Sequence, residues 1–128
     1  MKNRDIYNGA MRVLSEQIDV SVNDDYEDRA PYLIAAFYDE NRDIDHAYRR
    51  ANSLPEAPEV NAVFVDLGED FPCAPRFSSA CCMYVAAMLV LDENSELSDK
   101  LYDKYSDMMS TISSRIPSFV EKISDRYI

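Results

Sequence analysis

The sequence predicts a mostly α, single-domain bundle of about four helices, on three observations. Apolar residues recur at helical spacing through four stretches. The chain holds only two glycines, Gly9 and Gly68, and one β-like run, "VNAVFVDL", interrupts the helical pattern with a short extended or β element in the 58–70 region. At 128 residues the chain is one domain's worth, since single domains run to roughly 100–200 residues. Its 47% hydrophobic and 11% aromatic content supplies a core, which separates it from a disordered tail.

The first helix is expected over about Arg4 to Ile18, where Ile6, Ala10, Val13, Leu14 and Ile18 share a face and Asn3 or Asp5 caps the start. "DVSVNDD" then breaks the pattern. A second helix starts near Asn23 to Asp25, an acid-rich cluster suited to the positive end of the helix dipole. Pro31 either kinks this helix or opens the first turn of another. Leu33, Ile34, Phe37 and Tyr38 continue the apolar pattern. Ile44, Ala47 and Tyr48 belong to the same helix or to a short one after a break near Asn41.

"LPEAPEV" is a proline-punctuated loop, and "GEDFPCAPRF" a second one, with Pro75 placed for the first turn of a helix over about Arg76 to Leu91. That helix is apolar nearly all round, which predicts burial between other helices, and its small residues permit close backbone approach. "DENS" stops it. Asn94 or Ser95 caps a last helix over about Glu96 to Ile116, whose stripe Leu97, Leu101, Tyr105, Met108, Ile112, Ile116 has spacings of 4, 4, 3, 4 and 4. Pro117 kinks or ends it, leaving a C-terminal arm over 117–128 with Phe119, Val120, Ile123, Tyr127 and Ile128 as its apolar side chains.

Chemistry-bearing residues are few. Cys81 and Cys82 are adjacent on a helix and point about 100° apart, so they do not share a metal or a strain-free disulfide. They read as small buried hydrophobes, and Cys73 as a loop cysteine that solvent could reach. The single histidine, His46, lacks a nucleophile or fellow ligands and reads as a surface residue on a polar helix. "YRR" at 48–50 with Arg42 is the one basic cluster, and pairing of Asp45 with Arg49 accounts for part of it. No metal or cofactor site is expected.

The formal net charge is −11, from 24 acidic against 13 basic residues. Such a surface does not grip phosphate backbones or anionic membranes, and no sequence-specific nucleic-acid binding is expected. The longest apolar run, Ala80 to Leu91, is twelve residues, against the roughly 20 needed to span a bilayer. With no signal-peptide pattern, and cysteines that fit a reducing compartment, the chain is expected to be soluble in the cytoplasm. Glu96, Asp99, Asp103 and Asp107 run along one side of the last helix. They form a solvated face, or else a face whose charge serves a divalent ion, a basic partner or a channel wall that repels DNA.

The order of motifs adds a resemblance. "YNGAMRVLSE" precedes "DYEDRAPYLIAAFYDE". The turn "VDLGEDFPCAPRF" then leads to "SSACCMYVAAMLVLDENSELSDKLYDKYSDMMSTI". This order resembles the small helical head–tail connector (adaptor, or head-completion) proteins of tailed bacteriophages and prophages. Those proteins repeat an "aPyL" helix, a "dlddeFPl.pr" turn and an "aYYLAaelale.d.ela..fy..Y..al" helix pair. The likeness touches about 90 residues, and departs at "CCMY", where an aromatic pair is usual. It implies a structural virion protein without an active site. Such a subunit, monomeric or not on its own, assembles as a homo-oligomeric ring under the portal, extends the DNA channel and meets stopper and tail proteins. It would sit in the host cytoplasm during assembly and then in the virion neck. The alternative is an acidic helical protein-binding or regulatory module. An enzyme would require Asp99, Asp103 and Asp107 to meet carboxylates from another helix around a metal.

Overall fold

The computed structural model describes residues 1–20, 25–57 and 63–116. Among these are four α-helices: α1 (Asn3–Ser15), α2 (Tyr26–Ala51), α3 (Ser78–Val90) and α4 (Ser95–Ser114). A single 3-10 turn, Pro75–Phe77, leads into α3 with Pro75 at its first position. The fold is the mostly α bundle that the periodicity predicts, and α3 is its hub. The other three helices all pack on α3, whereas α1 and α4 hardly touch each other. Ala80, Cys81, Val85, Ala86, Ala87, Leu89 and Val90 are all buried as a result.

Small side chains bring the outer helices close to α3. On α1, a Cβ added at Gly9 would lie 2.5 Å from Cys82 Sγ, so the helices meet there only because position 9 has no side chain. The Cys82 thiol donates to the Ile6 carbonyl at 3.5 Å. On α4, buried Ser98 donates from Oγ to the Ala87 carbonyl at 2.8 Å. At the C-terminal end of α3, the Arg29 guanidinium donates to the Met88 and Leu89 carbonyls at 3.3 and 3.4 Å, which satisfies acceptors the helix itself leaves open.

The start of α1 differs from the expected cap. Lys2 is the N-cap residue, and Asp5 accepts the Lys2 backbone N–H at 2.8 Å, half of a capping box. Asn3 instead lies inside the helix, buried, and donates to the Asp66 carbonyl at 2.9 Å. Helix α2 is continuous through both doubtful positions. Pro31 lies early in α2, and its carbonyl accepts the Val65 N–H at 3.2 Å. Asn41 does not break the helix either. It is buried and donates to the Phe37 carbonyl one turn back and to the Tyr105 hydroxyl, both at 3.1 Å. α2 ends at Asn52 and Ser53, the latter with φ of 54°, as Leu54 N–H reaches back to the Arg49 carbonyl.

The extended element forms no ladder among the described residues. Residues 63–71 cross the ends of α1 and α2, where Asn3 N–H and Arg4 N–H donate to the Glu69 and Leu67 carbonyls. One isolated antiparallel bridge joins Lys2 to Asp70. Gly68 N–H bonds Asp66 Oδ1 at 2.9 Å, a local turn that competes with strand pairing.

In α4 the Asn94 cap is as expected, its Oδ1 accepting from Leu97 N–H at 3.1 Å. The buried stripe runs Leu101, Tyr105, Met109, Ile112, so Met109 and not Met108 faces inward at that turn. Each large apolar side chain so buried contributes on the order of 1.5–3 kcal/mol. Tyr105 joins an aromatic cluster in which Phe37 lies 5.8 Å from Tyr84 and 5.9 Å from Tyr105.

Candidate functional site

The acidic stripe on α4 is a surface feature. Glu96, Asp99, Asp103 and Asp107 are all exposed. Among the described residues no group of three or more His, Cys, Asp and Glu side chains is placed to hold a metal ion. Asp99, Asp103 and Asp107 therefore form no such group with carboxylates of a second described helix, and the acidic arrangement alone offers Coulombic attraction to cations and repulsion of phosphate. Phe119, Val120, Ile123, Tyr127 and Ile128 lie outside the described residues.

The cysteines do not form a reactive pair. Cys81 is fully buried, and burial raises its thiol well above the ordinary range. Cys82 is half-buried and pushed up to about 11, chiefly by burial. Cys73 corrects the expectation of an exposed loop thiol: it is 3% exposed, and burial, reinforced by the Asp45 carboxylate, raises its pKa strongly. A loop residue is buried here because its backbone is pinned from inside. Asp45, 0% exposed on α2, accepts the Ala74 N–H at 2.8 Å through Oδ1 and Arg49 Nε at 3.0 Å through Oδ2. Arg49 also donates to the Pro72 and Pro55 carbonyls at 3.2 and 3.1 Å.

The "YRR" cluster is thereby divided. Arg49 turns inward, Arg50 stays exposed, and the Arg42 guanidinium lies over the Tyr38 ring, 5.0 Å from its centroid. His46 is half-exposed at the rim of a recess of about 380 Å³ with Arg50 and Leu54. The inward Asp45–Arg49 pair went beyond the simple surface pairing expected from sequence. Its signal was present, since Asp45 continues the spacing Ile34, Phe37, Tyr38, Asn41 that marks the inner face of α2.

Two surface features stand out. Because α1 and α4 splay apart over α3, a groove of about 740 Å³ opens between them. Val13, Met83, Leu97 and Leu101 supply its apolar surface, and Arg12, Lys100 and Lys104 face it together with Glu16, Glu96 and Asp103. Elsewhere, Tyr32 on α2 and Phe64 pair their rings at 5.6 Å. With Val63, 81% exposed, they form an apolar knob on the surface. The groove was not legible as a site in the sequence.

Fold and surface define a class, a mostly α bundle that presents an inter-helix groove and an apolar knob. Comparisons with protein-family models, with curated proteins and with solved structures found no match. No described helix is long and apolar enough to cross a membrane.

Proposed function

We propose that the chain is a structural subunit of the head–tail connector kind. It assembles as a ring under the portal of a phage or prophage, extends the DNA channel and offers a surface to stopper and tail proteins. The observation that carries this reading is the way the turn 66–77 is held. This turn contains most of the "VDLGEDFPCAPRF" residues on which the resemblance rests. It is tied to α1 through Asn3 and to α2 through Asp45 and Arg49. Buried polar groups that lock a turn between helices serve a fixed shape, as a ring subunit requires.

The charge agrees with the role. A net −11, with the acids of α4 on the outside, suits a wall along which DNA slides without adhering. On this reading the chain performs no catalysis and takes no cofactor, and its place is the host cytoplasm and then the virion neck. The test is cosedimentation with the portal protein encoded beside it, followed by cryo-electron microscopy of the complex. Ring density beneath the portal is the expected result. A chain that never associates with that portal, at any concentration reached, refutes the proposal.

A further inference from the structure

We propose that the α1–α4 groove receives the Tyr32–Phe64 knob of a second copy of this chain, a head-to-tail contact that builds the oligomer. The inference rests on the reading of a self-assembling subunit and names the two surfaces involved. The first argument is charge. Among the described residues no carboxylate lies within ion-pair distance of Arg12, Lys100 or Lys104, although all three face the groove. With Glu16, Glu96 and Asp103 also present, the groove is neutral overall in a chain of net charge −11. An approaching acidic copy therefore meets no net repulsion there, unlike at the acidic outer faces. The knob carries carboxylates that the three groove cations can pair with. Exposed Asp28 lies one turn before Tyr32 on α2, and exposed Asp66 follows Phe64 by two residues.

The second argument is apolar area. Tyr32 is 55% and Phe64 52% exposed, and exposed aromatic side chains beside Val63 make a patch of the kind that marks an interface. The groove supplies an apolar counterpart in Val13, Met83, Leu97 and Leu101. Knob and groove are different surfaces, so the contact is heterologous. Such contacts propagate, and close into a ring where the rotation permits.

The experiment is sedimentation velocity on the full chain over a concentration series at low and physiological ionic strength. Mass is expected to grow beyond a dimer, because each end of a head-to-tail oligomer leaves one surface free. Phe64→Glu, and separately Lys100→Glu with Lys104→Glu, should each weaken self-association by about tenfold or more. These side chains are exposed, so unchanged thermal melts will show that the variants remain folded. Mixing the knob variant with the groove variant restores one intact contact, and the mixture should stop at a dimer. A wild-type chain that stays monomeric throughout overturns the proposal. So does self-association indifferent to both variants, or a mixture that yields no dimer. The portal test is separate: a portal-bound ring that tolerates both variants removes this contact and leaves the connector reading standing.

Discussion

Gly9 is predicted to be required only because Cys82 is opposite it. A methyl group at position 9 would sit 2.5 Å from Cys82 Sγ, but 3.6 Å from Cys82 Cβ. The first distance is a clash and the second an ordinary contact. In the wild-type chain, Gly9→Ala forces either α1 away from α3 or the thiol into another rotamer, losing its bond to the Ile6 carbonyl. Overpacking of this kind costs about 1–3 kcal/mol. Alanine returns up to about 1 kcal/mol through helix propensity. The expected net effect is a destabilisation of about 1 kcal/mol, which lowers the melting temperature by roughly 2–5 °C for a domain of this size. In a Cys82→Ala background the clashing atom is gone, and the same substitution should stabilise by up to about 1 kcal/mol. Urea denaturation of the wild type, both single variants and the double variant closes the cycle. The sign of the Gly9→Ala effect must reverse between backgrounds. A stabilising Gly9→Ala in the wild type, or equal effects in the two backgrounds, refutes the packing argument.

Asp45→Ala strands the Ala74 N–H in the interior and leaves the Arg49 guanidinium with its carbonyl partners but no counter-charge, and should cost about 3–5 kcal/mol in urea denaturation. Lys2→Ala breaks an equally short ion pair, 2.7 Å to Asp70, but both side chains there are largely exposed, and stability should stay near wild type. A Lys2 variant as damaged as the Asp45 variant contradicts the distinction drawn from burial. The raised thiols predict alkaline instability: with Cys82 moved from an ordinary 9.0 to about 11, the folded chain holds that proton where the unfolded chain releases it. Stability is therefore retained below pH about 9 and falls as the pH rises toward 11. Chemical denaturation across that range, with Cys82→Ala flattening part of the slope, measures it.

What was legible in the sequence was whatever depends on local periodicity. α1 and the stripe of α4, except at Met109, follow from spacing, the Asn94 cap from its residue type, and the uniform apolarity of Ala80 to Leu91 marked the hub helix. Asn41 was ambiguous because an isolated amide reads as a helix breaker. Its actual partner, Tyr105, is 64 positions away. Cys73 was placed in solvent because loops usually lie there, while the carboxylate that draws this loop inward sits on α2. The acidic stripe of α4 was readable as residues but not as a use. The groove depends on the angle at which α1 and α4 cross α3, and no single helix encodes an angle.

The position of α3 limits where function can reside. A helix covered by three others offers the groove only half-buried Met83, and its cysteines are held as neutral thiols by burial. Described surfaces that recognise another molecule are therefore built mainly from α1, α2, α4 and the segment 63–71. Those elements keep their relative placement through what they share with α3, through Asp45, and through the bonds of Asn3, Arg4 and Pro31 to residues 65–69. The small residues at α3 and the charged pair at Asp45 thus act on assembly at a distance. Loosening the Gly9–Cys82 contact widens the α1 side of the groove without touching a groove cation, while loosening Asp45 frees residues 72–74, the far end of the loop that carries Phe64. Gly9→Ala and Asp45→Ala should therefore weaken self-association even under conditions where most of the chain remains folded.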